Sequence, residues 1–136
     1  MLGGRVKELR VIIAGGRNFD DFPLLMNKCI EIIATVTKED NTIDKIRIVS
    51  GGARGADRLG EQYAKIAHYD ITIFPAAWDT YGKSAGYKRN AEMAKFASED
   101  GNISVLIAFW DGKSRGTKHM IDLAKRYGLK VHVVNY

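Results

Sequence analysis

Short apolar runs alternate with amphipathic segments along the chain. Residues 9–14, 45–50, 70–74, 103–109 and 130–134 are apolar and rich in Val and Ile, the pattern of strands buried on both faces. Between them the period becomes helical. Ala56, Leu59, Gly60, Tyr63, Ala64 and Ala67 recur at i, i+3, i+4, i+7, i+8 and i+11, which predicts one stripe against a sheet and leaves Asp57, Arg58, Glu61 and Lys65 toward water. Met120, Leu123, Ala124 and Tyr127 repeat the stripe, and Gly128 supplies a C-cap. The first helix is predicted to start near Asp20 or Asp21, either one an N-cap, and to run through Leu25, Cys29, Ile32 and Ile33 toward Val36. Residues 37–44 read as a polar connection.

This βαβ rhythm, with no linker, repeat or low-complexity break, predicts a single domain over residues 1–136. Its expected architecture is a doubly wound, five-stranded parallel sheet in the order 3-2-1-4-5, with helices on both faces. In that order the chain reverses its direction of travel between strands 1 and 4. The loops after those two strands then open a crevice at the carboxyl edge of the sheet, where such folds bind ligands.

Three strands end in loops that carry glycine and arginine: Gly15-Gly16-Arg17, Ser50-Gly51-Gly52-Ala53-Arg54-Gly55-Ala56-Asp57, and Trp110-Asp111-Gly112-Lys113-Ser114-Arg115-Gly116-Thr117. Loops of this kind leave backbone N–H groups free at helix starts, where the dipole also favours an anion. The second loop matches neither the dinucleotide fingerprint, which belongs at the first strand, nor the Walker pattern, which needs Lys-Ser or Lys-Thr after its last glycine. NAD binding and NTP hydrolysis are therefore not expected. Asp57 is placed either to reach a ribose hydroxyl or simply to complement a helix N-terminus. Ser114 and Thr117 are candidate caps of the fourth helix and, with Arg115 and Gly116, candidate phosphate ligands. The stretch from Pro75 to Gly86 reads as the longest irregular segment and runs on into Tyr87-Lys88-Arg89-Asn90. In it Trp78, Tyr81 and Tyr87 are candidates to stack on a base, and Lys83, Lys88 and Arg89 to meet a phosphate; Trp78 reads equally as packing. Trp110, beside the third loop, is a second stacking candidate.

Composition narrows the choices. The 136 residues are 46% hydrophobic and carry a formal charge of +5, which favours anionic partners. The single Cys29 falls among apolar residues and reads as a buried, inert thiol. His68, His119 and His132 lack metal-ligand spacing, so neither a metal nor a cofactor is expected. No apolar run approaches the roughly 20 residues of a membrane span, and residues 1–9 lack the apolar block of a signal peptide, so the expected location is the cytoplasm.

Taken together, Gly15-Gly16-Arg17, the Ser50 to Asp57 loop, Gly86-Tyr87-Lys88-Arg89-Asn90-Ala91-Glu92-Met93 and Asp111-Gly112-Lys113-Ser114-Arg115-Gly116-Thr117 resemble the SLOG superfamily of Rossmann-like domains, and in particular its small YpsA-related branch, often encoded by phages and mobile elements. The resemblance spans nearly the whole chain. It implies binding of a nucleotide or nucleotide-derived ligand, an ADP-ribose-type signal among the candidates, by a sensor or sequestering protein that forms homo-oligomers. The implied ligand residues are Gly15, Gly16, Arg17, Ser50, Gly51, Gly52, Arg54, Asp57, Trp78, Arg89, Asn90, Trp110, Asp111, Ser114, Arg115, Gly116 and Thr117. Two other activities of the superfamily are alternatives. One is N-glycosidic cleavage of nucleoside monophosphates, as in the LOG phosphoribohydrolases; the other, less favoured, is single-stranded nucleic-acid binding, as in DprA. The LOG enzymes place glutamates shortly after their Gly-Thr, whereas Gly116-Thr117 is followed here by Lys118-His119-Met120. Arg89 matches their arginine. Glu92 and Asp111, with Asp57 and Asp79, are the carboxylates that would have to stand in for the missing acid.

Overall fold

Strict alternation along the central strands divides the core into two halves. In β1 (Glu8–Gly15), Leu9, Val11 and Ile13 face one layer of helices, while Ile12 and Ala14 face the other. In β4 (Ile103–Trp110), Val105, Ile107 and Phe109 join the first set and Leu106 and Ala108 the second. These residues are fully or almost fully buried, so neither face of the sheet's middle meets water. The computed structural model describes residues 6–136. Residues 1–5, on which the signal-peptide expectation partly rests, lie outside the described residues.

The remaining strands are β2 (Lys45–Ser50), β3 (Asp70–Ile73) and β5 (Lys130–Asn135), and the order is β3-β2-β1-β4-β5, all parallel. The expected sheet is therefore the observed one. On one face α1 (Phe22–Glu39) and α2 (Ala56–Ala67) pack over Leu9, Ile13, Ile48 and Ile107. On the other, α4 (Ala85–Ala97) and α5 (Arg115–Arg126) cover Ile12, Val49 and Leu106. Asp21 is the N-cap of α1, its carboxylate accepting the Leu24 N–H at 3.1 Å. Among the described residues no helix is long and apolar enough to cross a membrane.

Two segments differ from expectation. Residues 37–39, expected in a polar connection, complete α1, with the Thr37 hydroxyl donating to the Ile33 carbonyl at 2.9 Å and the Asp40 N–H closing the last turn on Val36. Hydroxyls that bond back to the preceding turn are tolerated in a helix whose apolar face is already fixed. The supposed irregular stretch from Pro75 to Gly86 holds α3 (Trp78–Tyr81), a 3₁₀ turn (Gly82–Ser84) and the start of α4. Gly82, at φ +58°, separates the first two pieces and gave the sequence its loop-like look.

The two edges of the sheet treat charge differently. At the amino end, Glu8 accepts from Arg10 Nε at 2.8 Å and from Arg47 at 3.2 Å, and Lys45 pairs with Asp70. At the carboxyl end Arg17, Arg54, Arg58 and Arg89 form no ion pair among the described residues.

Gly60 sets how closely α2 approaches β1, because a Cβ there would stand 2.8 Å from Ile13 Cγ2 and 2.9 Å from its Cβ. Gly60→Ala is expected to destabilise the fold by about 1–3 kcal/mol despite alanine's better helix propensity. Urea denaturation reads this directly, and an unchanged midpoint would mean that Ile13 yields without cost.

Candidate functional site

The strand order brings the glycine loops within hydrogen-bond reach of one another. The Gly16 N–H donates to the Phe109 carbonyl at 3.2 Å, joining the first loop to β4, and the Ala56 N–H donates to the Gly16 carbonyl at 3.2 Å, joining the second loop to the first. Gly55, at φ +83°, makes that contact possible: a Cβ there would run into the backbone of Gly16 and Arg17. Above the ends of β1 and β4 lies a crevice of about 420 Å³, within the roughly 300–1,000 Å³ of small-molecule sites.

Gly15, Gly16, Arg17, Asp57, Trp78, Arg89, Asn90, Asp111, Ser114, Gly116 and Thr117 all line this crevice. Gly51, Gly52 and Arg54 line instead an adjoining groove toward β3, which shares Arg17, Trp78 and Arg89 with the crevice. Tyr81, Lys88 and Asp79 line neither, and nor do four further named residues. Ser50 is fully buried and joins Glu61 at 2.6 Å and the Gly52 N–H at 3.1 Å, holding the loop in shape. Trp110 donates its indole N–H to the Ser114 carbonyl at 3.1 Å and packs on the core. Arg115 and Glu92 point to solvent on helix surfaces outside the crevice.

Arg89 is the most constrained cation of the site. It sits on the second turn of α4 with Nη1 donating to the Gly51 carbonyl at 2.6 Å and Nε donating to Asn90 Oδ1 at 3.1 Å. Asn90 is itself buried and fixed, its amide donating to the Gly116 carbonyl at 3.3 Å and meeting His119 Nδ1 at 3.1 Å. That contact makes Nδ1 of His119 the acceptor and leaves the ring proton on Nε2. Tyr87 lies against the same imidazole, with ring centroids 4.3 Å apart. Two of the three guanidinium nitrogens of Arg89 are thus spent on position, and Nη2 is left for a ligand.

Asp57 is a correction to the stripe reading of α2, which turned it to water. It is buried against Gly51, and its Oδ2 accepts the Ala53 N–H at 3.2 Å. A Cβ on Gly51 would lie 2.6 Å from Arg89 Nη1 and 2.8 Å from Asp57 Oδ2, so glycine is what lets both side chains reach the end of β2. Desolvation pushes the Asp57 carboxyl up to about 6, against the opposing pull of Arg89. Arg89 is drawn down, again by desolvation first, while Asp57 works the other way. Burial therefore outweighs attraction at both partners.

Asp111 has a different task. Its Oδ1 accepts the Lys113 N–H at 2.8 Å and the Ser114 N–H at 2.9 Å, and these bonds hold its carboxyl below the usual range. Ser114 is the N-cap of α5 and accepts the Thr117 N–H, while Lys118 N–H bonds the Ser114 carbonyl. The intervening N–H groups of Arg115 and Gly116 have no helical partner, and a Cβ at Gly116 would meet nothing within 4 Å. This helix end is open to an anion.

Tyr136, Met93, Met120 and His119 complete the neighbourhood and were not among the candidates. Met93 and Met120 lie four and three residues beyond Arg89 and Thr117, on the same helix faces, so the helical period carried that signal. Tyr136 fills the space that a side chain at Gly16 would need, a relation only the pairing of β4 with β5 reveals. Among the described residues, no cluster of three or more His, Cys, Asp or Glu side chains is placed to hold a metal ion.

The raised Asp57 carboxyl links stability to pH. Between about pH 4 and 6 the folded protein keeps the proton that the unfolded chain releases, so this group's contribution falls by about 3 kcal/mol as pH rises through that window and is level above it. Asp57→Asn removes the fall while retaining an acceptor for Ala53. Compared with the parent, the variant is expected to be about 2–3 kcal/mol better placed at about pH 7.5 than at about pH 4 in urea titrations. Equal differences at the two pH values would show that Asp57 titrates as an ordinary carboxylate.

Comparison with known proteins agrees with the first two loops. Residues 9–81, more than half of the chain, match the family YAcAr, described as the YspA, cpYpsA-related SLOG family. The match takes in Gly15-Gly16-Arg17, the Ser50 to Asp57 loop and Trp78, and stops short of Arg89 and the third loop. The chain is also 35% identical over 89 residues to the Gene 61 protein of Mycobacterium phage D29, covering 62% of this chain and 67% of that protein. No solved structure matches it. On the strength of the family match and the parallel 3-2-1-4-5 sheet beneath it, the chain belongs to the YspA, cpYpsA-related SLOG family, with a phage protein among its relatives.

Proposed function

We propose that this protein binds a nucleotide or nucleotide-derived small molecule in the crevice between the ends of β1 and β4, and that it acts by holding that ligand, as a sensor or sequestering protein. The observation that carries this reading is Arg89: a half-buried guanidinium pinned at Nη1 and Nε, with Nη2 free, beside the open N-terminus of α5. A phosphate there meets a fixed charge and backbone donors together. Trp78 and Tyr87, 48% and 47% exposed on the crevice wall, offer faces to a base.

Binding without turnover is favoured by what stands where the LOG enzymes carry their acid. Met120 follows Lys118-His119 there, and it is buried with Met93 in the crevice lining. The enzymatic alternative rests on Asp57, a buried carboxyl beside Arg89, as the stand-in acid. Asp79 and Glu92 line no part of the crevice.

A thermal-shift panel of nucleoside monophosphates, ADP-ribose, NAD and cyclic nucleotides is expected to yield a ligand that stabilises the fold by about 2.7 kcal/mol at 100 times its Kd. Arg89→Gln is expected to weaken that ligand about 10- to 100-fold, the value of a charge-assisted hydrogen bond. A panel without any shift overturns the reading. Release of free base from a nucleoside monophosphate, lost in Asp57→Asn, would replace it with the enzymatic one.

A further inference from the structure

The groove beside the crevice has no part in the reading above, yet its lining is one-sided. It encloses about 610 Å³ and is walled by Arg54, Arg58, Gly52 and Pro75, with Arg17, Trp78 and Arg89 shared with the crevice. Among the described residues no carboxylate lines it, whereas the crevice has Asp57 and Asp111 and the cavity at the amino edge of the sheet sets Glu8 and Glu99 against Arg10. Arg54 and Arg58 are exposed and make no ion pair among the described residues. Four guanidinium groups around one hollow repel each other, a cost that an anion removes. Between groove and crevice stands Trp78, with the Arg17 guanidinium 5.9 Å from its ring centroid.

We propose that crevice and groove form one continuous site for a small nucleotide that carries a phosphate on each side of a nucleoside. One phosphate sits at Arg89 and the other at Arg54 and Arg58, and the base between them lies on Trp78. The inference rests on the crevice reading and deepens it, since a mononucleotide fills only the first compartment. A 5′-phosphorylated dinucleotide has the required layout, with a terminal and a linking phosphate flanking its first nucleoside.

The test compares AMP and GMP with the 5′-phosphorylated dinucleotides pApA and pGpG by titration of tryptophan fluorescence or calorimetry. The dinucleotide of at least one base is expected to bind about tenfold more tightly than its mononucleotide. The Arg54→Gln/Arg58→Gln double variant, altered only at exposed positions, is expected to lose that advantage while its affinity for the mononucleotide stays within about twofold. Equal affinity for mono- and dinucleotide, or an advantage that survives the double variant, overturns the two-compartment site and leaves the crevice reading standing. If none of these four probes binds, the two-compartment site is overturned, and the crevice reading is decided separately by the wider thermal-shift panel. Affinity that continues to climb from two to ten nucleotides, with a steep dependence on salt, overturns it in favour of a path for single-stranded nucleic acid.

Discussion

The parallel pairing of β1 with β4, register-matched from Leu9 with Ile103 to Gly15 with Phe109, is the contact on which the rest of this protein depends. It joins the two strands from which the chain travels outward in opposite directions, so their following loops part and leave a gap above the sheet. The pairing is held by residues buried on both faces, and it sets the level at which Gly16 meets the Phe109 carbonyl. Once those two strand ends are level, the Gly16 loop, Asp57 from the first turn of α2 and the open start of α5 line one crevice. The site is in this sense a property of the sheet, with the loops filling in its chemistry.

Close approach is the second constraint. Gly15, Gly51, Gly55 and Gly60 each lie where a Cβ would collide with backbone or a fixed side chain. Their effect is cumulative: α2 sits low on β1, the first two loops touch, and Arg89 and Asp57 both reach the end of β2. Packing these two ionisable groups into one desolvated corner costs stability at each, and neither repays the other in full. Strained electrostatics of this kind concentrate at binding sites, because a ligand is what completes them. At the amino edge of the same sheet, by contrast, Glu8, Arg10, Arg47, Lys45 and Asp70 are mutually paired.

Much of this was legible in the residues. The Val- and Ile-rich runs, the amphipathic period of α2 and α5 and the glycine punctuation implied a doubly wound parallel sheet, because buried strands and surface helices impose different periods on apolar residues. The grouping of Arg17, Asp57, Arg89 and the Ser114 to Thr117 turn was legible too, since each follows a strand or opens a helix at the same edge. Three features were not. Asp57 occupies a polar position in its helix stripe, and only the neighbouring ends of β1 and β2 make that position an interior one. The Trp110 indole N–H is engaged by the Ser114 carbonyl and the Ser50 hydroxyl by Glu61, partnerships that no spacing in the sequence foretells.

Local chemistry therefore settled in the sequence: which segments are strands or helices, where backbone donors stay free, and that the net charge of +5 is carried partly by strand-end loops. The tertiary structure decided what side chains do once distant segments meet. Arg89 is aimed by Gly51, from another element 38 residues away, and its neighbour Asn90 is held by Gly116. Burial and aim are properties of surroundings, and those surroundings come from strand pairing between segments far apart in the chain, which residue period and spacing alone do not encode.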